Sequence, residues 1–159
     1  MYKEQFEAWY GSSTNGYFVI GMPVEALLSI GVPSQRIIIN KSKIVSVMNE
    51  HNLSSDIMLK LPEVVNNPVM ILESRTQKDS FVLYGELYDE LGRAIMVSLR
   101  TNLYESSLRE LFNKITSVYV KDNTQRFISN SKLIYTDKKR ITVWLQNLGL
   151  QLPSGETIK

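Results

Sequence analysis

Apolar residues along this chain fall into short runs with two different periods. Tyr17-Phe18-Val19-Ile20-Gly21 is strand-like, and Arg36-Ile37-Ile38-Ile39 is a β-branched run that favours the same conformation. Between them Pro23 opens a brief helix, Val24 to Ile30, that Gly31 stops. After Asn40, a helix-capping residue, the period changes to three and four. Ile44, Val47, Met48 and His51 then share one face of a helix over 41–51. A second helix starts at Ser54-Ser55-Asp56 and runs towards Val65, interrupted or restarted at Leu61-Pro62-Glu63 because proline lacks the amide donor. Residues 1–16 read as an extension or loose helix ending in a Gly/Ser-rich loop.

Beyond the Asn66-Asn67-Pro68 turn the runs become extended. Val69–Leu72 is an apolar strand. Ser80–Tyr88 sets Phe81, Leu83 and Leu87 broadly against polar positions. Asp89-Glu90-Leu91-Gly92-Arg93 has the length of a hairpin connection, and Ala94–Leu99 continues as a strand to Arg100-Thr101-Asn102. A polar helix is expected over Glu105–Phe112, then a strand over Ile115–Val120. Asp122 or Asn123 caps a helix over 124–130, Leu133-Ile134-Tyr135 is a short strand, and a last helix starts at Thr136-Asp137. Ile141, Trp144, Leu145 and Leu148 form its apolar face, and Gly149 ends it. Helices, then strands at hairpin spacing, then helices predict an α+β fold: a mainly antiparallel sheet with helices packed on one face.

Composition narrows the functional classes. A chain of 159 residues, 43% hydrophobic and 21% charged, is expected to fold as one globular unit rather than stay disordered. The net charge of +2 permits a nucleic-acid partner without demanding one. The N-terminal stretch has no basic segment followed by an apolar one, so no signal peptide is expected. No apolar run approaches the roughly 18 residues of a membrane span, so the expectation is a cytoplasmic protein without a membrane partner.

There is no cysteine and one histidine, His51. That removes disulfides, thiolate nucleophiles and thiolate zinc sites. No P-loop, G-x-G-x-x-G, H-E-x-x-H or G-x-S-x-G pattern is present. Neither a cofactor nor a metal site is expected, although a Mg²⁺ site needs only carboxylates. The chemistry left is built on one histidine with Lys, Arg, Ser, Thr and Tyr. Histidine is the side chain whose unperturbed pKa lies within about 5–8, so His51 is the first candidate for proton transfer. A lone histidine ending an apolar stripe is, however, more often a capping or core residue.

Several stretches carry a resemblance when taken together: IGMPVEALLSIGVPSQRIIINKSKI, EHN with His51, LKLPEVVNNPVMILES, LYDELGRAIMVSL, ITSVYVKDN and LIYTDKKRITVWLQNLGLQLPS. In this order and at these distances they resemble the C-terminal domain of phage MuF-type proteins. The resemblance divides the chain into an extension (1–15), a single domain (16–154) and a tail (155–159). It implies the fold of the barnase–EndoU–colicin–RelE group, with helices on a sheet of about four antiparallel strands. That group consists largely of metal-independent endoribonucleases and toxins. Its pattern places a histidine, usually after lysines, at the end of the first long helix. His51 stands there, but Asn49 and Glu50 precede it, and a carboxylate at that place repels phosphate.

Ser117 and Tyr119 match the family's Ser-Val-Tyr, and alternation sets both on one sheet face. The implied chemistry is attack by the substrate's 2′-hydroxyl, with His51 moving a proton and Ser117 and Tyr119 binding phosphate or ribose. Arg100, Lys121 and Lys43 are candidate phosphate clamps, and Tyr135 or Tyr119 a candidate stacking platform for a base. Each has a plainer alternative: a satisfied hydroxyl, ordinary strand tyrosines, solvated lysines, an ion-paired arginine. The Lys138-Lys139-Arg140 run reads as a solvated helix face. RNA is the expected partner, with an immunity or phage protein as a second. The competing expectation is a non-catalytic relative that keeps the fold as a phage-associated binding or structural module.

Overall fold

The computed structural model describes residues 2–11, 16–51, 53–74 and 77–153. Its described elements, in chain order, are α1 (Tyr2–Tyr10), β1 (Tyr17–Gly21), α2 (Glu25–Leu28), β2 (Ile37–Asn40), α3 (Lys41–His51), α4 (Ser55–Leu59), α5 (Leu61–Asn66), β3 (Met70–Glu73), β4 (Ser80–Tyr84), β5 (Met96–Glu105), β6 (Glu110–Tyr119), α6 (Thr124–Ser129), β7 (Lys132–Thr136) and α7 (Ile141–Leu148). The strands form one sheet in the order β1-β2-β6-β5-β4-β3-β7. β2 runs parallel to β6, and the other pairs are antiparallel.

The α+β class and the mainly antiparallel sheet stand. The expected count of about four strands does not, because the sheet has seven. The expected helical cover on one face is also corrected. Along β3, Met70 and Leu72 enter one apolar cluster while Ile71 enters the other. Along β4, Phe81 and Leu83 alternate with Val82 and Tyr84 in the same way. Helices α1, α3 and α5 supply Phe6, Ile44, Val47, Leu61 and Val64 to the first cluster. Helices α6 and α7 supply Ile128, Ile141, Trp144 and Leu145 to the second. A strand covered on both faces is apolar throughout, so the runs Met70–Leu72 and Phe81–Tyr84 are the sequence sign of a doubly covered sheet.

The expected polar helix over Glu105–Phe112 is absent. Residues 106–109 turn between β5 and β6, with Arg109 at φ 53° and its amide donating to the Glu105 carbonyl at 2.7 Å. Leu108, Leu111 and Phe112 have helical spacing in that stretch, but of the three only Phe112 is buried and Leu108 and Leu111 stay exposed. Strand pairing continues through it instead, from Leu103 opposite Phe112 to Glu105 opposite Glu110.

Several helix-end signals hold, whereas the start expected for the last helix at Thr136-Asp137 does not: Thr136 pairs with Met70 in β7, and α7 starts at Ile141. Asn40 Oδ1 accepts the Lys43 amide at 3.1 Å and starts α3. Asn123 caps α6. Pro62 opens α5 rather than interrupting a single helix. Gly149 closes α7 in the left-handed conformation at φ 66°. No helix among the described residues is long and apolar enough to cross a membrane.

Candidate functional site

His51 ends α3, and the sheet decides what it faces. β2 pairs with β6 only as far as Ile39 opposite Ile115. The chain turns at once into α3, which packs against β6 through Ile44, Val47 and Met48 in the core it shares with Ile115 and Val118. This carries the exposed His51 to the end of β6, where its imidazole stacks on Tyr119. The rings are 4.5 Å apart between centroids and tilted by 10°. Such a contact is worth about 0.5–1.5 kcal/mol and fixes the plane of the imidazole. Lys121 Nζ lies 5.2 Å from the Tyr119 ring centroid and 4.5 Å from that of Phe127.

The same end of the sheet carries the 89–93 hairpin, because Met96 at the start of β5 pairs with Tyr119. The hairpin is a three-residue loop of the kind its sequence favours: aspartate at the first position, glycine in the left-handed position before the return strand. Gly92 has φ 77°. Asp89 Oδ1 accepts the amides of Leu91 at 3.0 Å and Arg93 at 2.8 Å. Its Oδ2 accepts Arg93 Nε at 2.7 Å and forms an ion pair with Nη2 at 2.7 Å. Burial pushes the Asp89 carboxyl up, but the hydrogen bonds and charge of Arg93, with the Leu91 amide, outweigh it, and the carboxyl sits below its ordinary range. The Arg93 side chain remains 58% exposed while that of Asp89 is 10% exposed.

Between the end of α3 and this hairpin lies a cleft of about 400 Å³. Its polar lining is His51, Ser54, Asp89, Glu90 and Arg93, and Ile57 is among its apolar lining. His51 therefore opens into a cleft, and Trp144 packs in the other apolar cluster. Chemically the cleft offers an imidazole, a free carboxylate on Glu90 and a guanidinium fixed along one edge. Among the described residues no three His, Asp or Glu side chains gather into a metal-ligating cluster.

The structure brings His51, Tyr119 and Lys121 together. Ser117 lies two residues before Tyr119, half-buried opposite Ser98, and among the described residues no hydrogen bond joins it to His51. Arg100 is exposed on β5 between Ser80 and Lys114, four residues and roughly 13 Å along the strand from Met96. Lys43 is exposed near the start of α3, eight residues and about 12 Å of helix before His51. Tyr135 sits on β7, the far edge of the sheet and four strand spacings, roughly 19 Å, from β6. It packs against the first core cluster beside Ile71. In the basic run of α7's approach, Arg140 is an ion-pairing residue that binds Asp137 and donates to the carbonyls of Asn67 and Pro68.

Glu90 and Arg93 are the cleft residues that sequence reading missed. Their hairpin is legible, but its place beside His51 is set by long-range pairing of β5 with β6. A second polar cluster occupies the opposite end of the long β5–β6 hairpin. Glu105 accepts Lys114 Nζ at 2.6 Å and the Tyr17 hydroxyl at 2.6 Å, and those two hydrogen bonds hold its carboxyl below its ordinary range. Lys114 Nζ also lies 5.1 Å from the Tyr17 ring centroid.

Residues 43–143 match the family model described as the phage MuF C-terminal domain. No curated protein and no solved structure matches the chain. The matched span runs from the first turn of α3 into α7 and contains His51, Tyr119, Lys121 and the whole 89–93 hairpin. It covers well over half of the 159 residues, and the chain belongs to the phage MuF C-terminal domain family.

Proposed function

We propose that this phage-associated domain is an endoribonuclease that works without a metal, by attack of the substrate's own 2′-hydroxyl. The observation that carries the reading is His51: the chain's one histidine faces a cleft, with its ring held by Tyr119. The reaction forms a bond from the 2′-oxygen to phosphorus and breaks the bond from phosphorus to the 5′-oxygen. One group removes the 2′-proton and another protonates the departing 5′-oxygen. His51 as imidazolium is the donor in this scheme. Glu90, an exposed carboxylate on the same cleft, is the acceptor.

Tyr119 orients His51 in this account, since its ring already carries the imidazole. Ser117, Arg100, Lys43 and Tyr135 are assigned no role at the reacting phosphate. The second reading, a non-catalytic binding module, draws support from Asp89 and Glu90, which bring two carboxylates to the cleft. Purified protein with tRNA and single-stranded RNA in EDTA separates the two. The nuclease reading expects cleavage that disappears in His51→Ala, while intact RNA with the wild-type protein favours the binding module.

A further inference from the structure

Arg93 is the cation of the cleft; it sits on its carboxylate as Arg36 sits on Glu110, with Nε and Nη2 both at one oxygen, but it does so on the lining of the cleft that His51 shares. Its Nε and Nη2 both meet the Oδ2 of Asp89, so one edge of the guanidinium is committed. Nη1, at the other edge, has no protein partner among the described residues. Asp89 is itself immobilised by the amides of Leu91 and Arg93 and is nearly covered. The carboxylate therefore acts as a mount for the guanidinium, leaving a fork of N–H donors directed away from it. A planar fork of this kind suits the oxygens of a phosphate. His51 on the facing wall supplies a second donor.

We infer that the cleft between His51 and Arg93 is a nucleotide phosphate site, with Arg93 as the clamp and Asp89 as its positioning residue. The inference rests on the ribonuclease reading for the identity of the phosphate as RNA, but not for the binding itself. Lysine is a poorer replacement for this arginine, because its single nitrogen lacks the planar fork that meets Asp89 at one edge and a phosphate at another. Glu90 works against binding, since its carboxylate faces the same anion.

Cytidine 3′-monophosphate, titrated into the wild-type protein, tests this without any catalysis. The ring protons of His51 report by NMR and need no assignment strategy, because no other histidine is present. A saturable shift is expected. Arg93→Ala and Arg93→Lys should each weaken it about tenfold or more, the loss of one charge-assisted hydrogen bond. Glu90→Gln should tighten it. Arg36→Ala, which removes an exposed arginine paired with Glu110, should leave it unchanged. The amide spectrum of each variant reports whether it is folded.

A silent His51 in the wild-type protein, or Arg93→Lys behaving as wild type, overturns the site. Cleavage that depends on His51 without any Arg93 effect on binding keeps the nuclease and discards the clamp. Binding that depends on Arg93 in a protein that never cleaves RNA does the reverse.

Discussion

The two ends of the β5–β6 pair each carry a carboxylate bound to a cation, and they differ in what is left over. At one end, Lys114 and Glu105 are 20% and 17% exposed, and Tyr17 fills the remaining side of the carboxylate. At the other, Asp89 is nearly covered while the guanidinium of Arg93 stays mostly open beside His51. Both carboxyls sit below their ordinary range, each with its cation among the causes. The difference lies in geometry, not in titration. An ammonium that is one-fifth exposed, between a carboxylate and a phenol ring, presents little of itself to a ligand. A guanidinium mounted on a turn has a free edge. Perturbed carboxyls therefore mark polar clusters of both kinds, and the unused donors tell a scaffold from a site.

Substitutions at the closed pair are expected to have the largest effect on stability. Glu105→Ala leaves Lys114 half-covered without its partner and Tyr17 without its acceptor, at a cost of about 2–3 kcal/mol in a urea midpoint series. Arg93→Ala, at the open pair, should cost under about 1 kcal/mol, since its side chain is mostly solvated. Equal costs at the two ends would erase the distinction.

Acid sharpens the comparison from another side. A carboxyl whose folded pKa is depressed stabilises the fold above its unfolded value, and that contribution is lost as pH falls through the folded one. Stability should therefore decline as pH drops below the ordinary glutamate value of 4.5, with Glu105→Gln showing a shallower acid limb than wild type. An unchanged slope in denaturation measured across that range would mean the pair contributes nothing. Asp89→Asn should also flatten the limb while retaining the Oδ1 acceptor that holds the hairpin.

The smallest effect is expected at Tyr84. Its hydroxyl is buried and has no hydrogen-bond partner among the described residues, and burial, with a lesser contribution from Tyr119, pushes its pKa well above the ordinary value. Tyr84→Phe removes a desolvated polar atom, so the unfolding midpoint should hold or rise slightly. A loss above about 1 kcal/mol would point to a partner for that hydroxyl.

Local structure was legible in the residues. Asn40, Asn123, Pro62 and Gly149 each stand at the helix boundary their chemistry predicts. Each of the seven strands contains an extended run read from the sequence, but β6 starts at Glu110, inside the stretch expected to be helical. The count of about four came from the resemblance, and the one-sided helical cover from element order. The apolar runs of β3 and β4 carry the sign of burial on both faces, which the alternation read over Ser80–Tyr88 missed because Val82 and Tyr84 are buried as well. The helix expected over 105–112 failed because the helical spacing of Leu108, Leu111 and Phe112 is overridden by the pairing of β5 with β6 on either side of the turn. His51, Tyr119 and Lys121 were each named in the sequence, His51 and Tyr119 through the resemblance, but their proximity is set by the long-range pairing of β2 with β6. Arg93 and Glu90 were not, because their proximity to His51 depends on where β5 pairs with β6. Ser117 shares a strand and a sheet face with Tyr119, half-buried opposite Ser98.

The central claim is that His51 is the reactive group of the molecule. Its most direct test is the rate of RNA cleavage in EDTA by wild type and His51→Ala, with the chemistry of the product ends identified by mass spectrometry. The account predicts 2′,3′-cyclic phosphate and free 5′-hydroxyl ends, and a loss of about a hundredfold or more in the variant. Ends of any other chemistry, or a variant as fast as wild type, would contradict it.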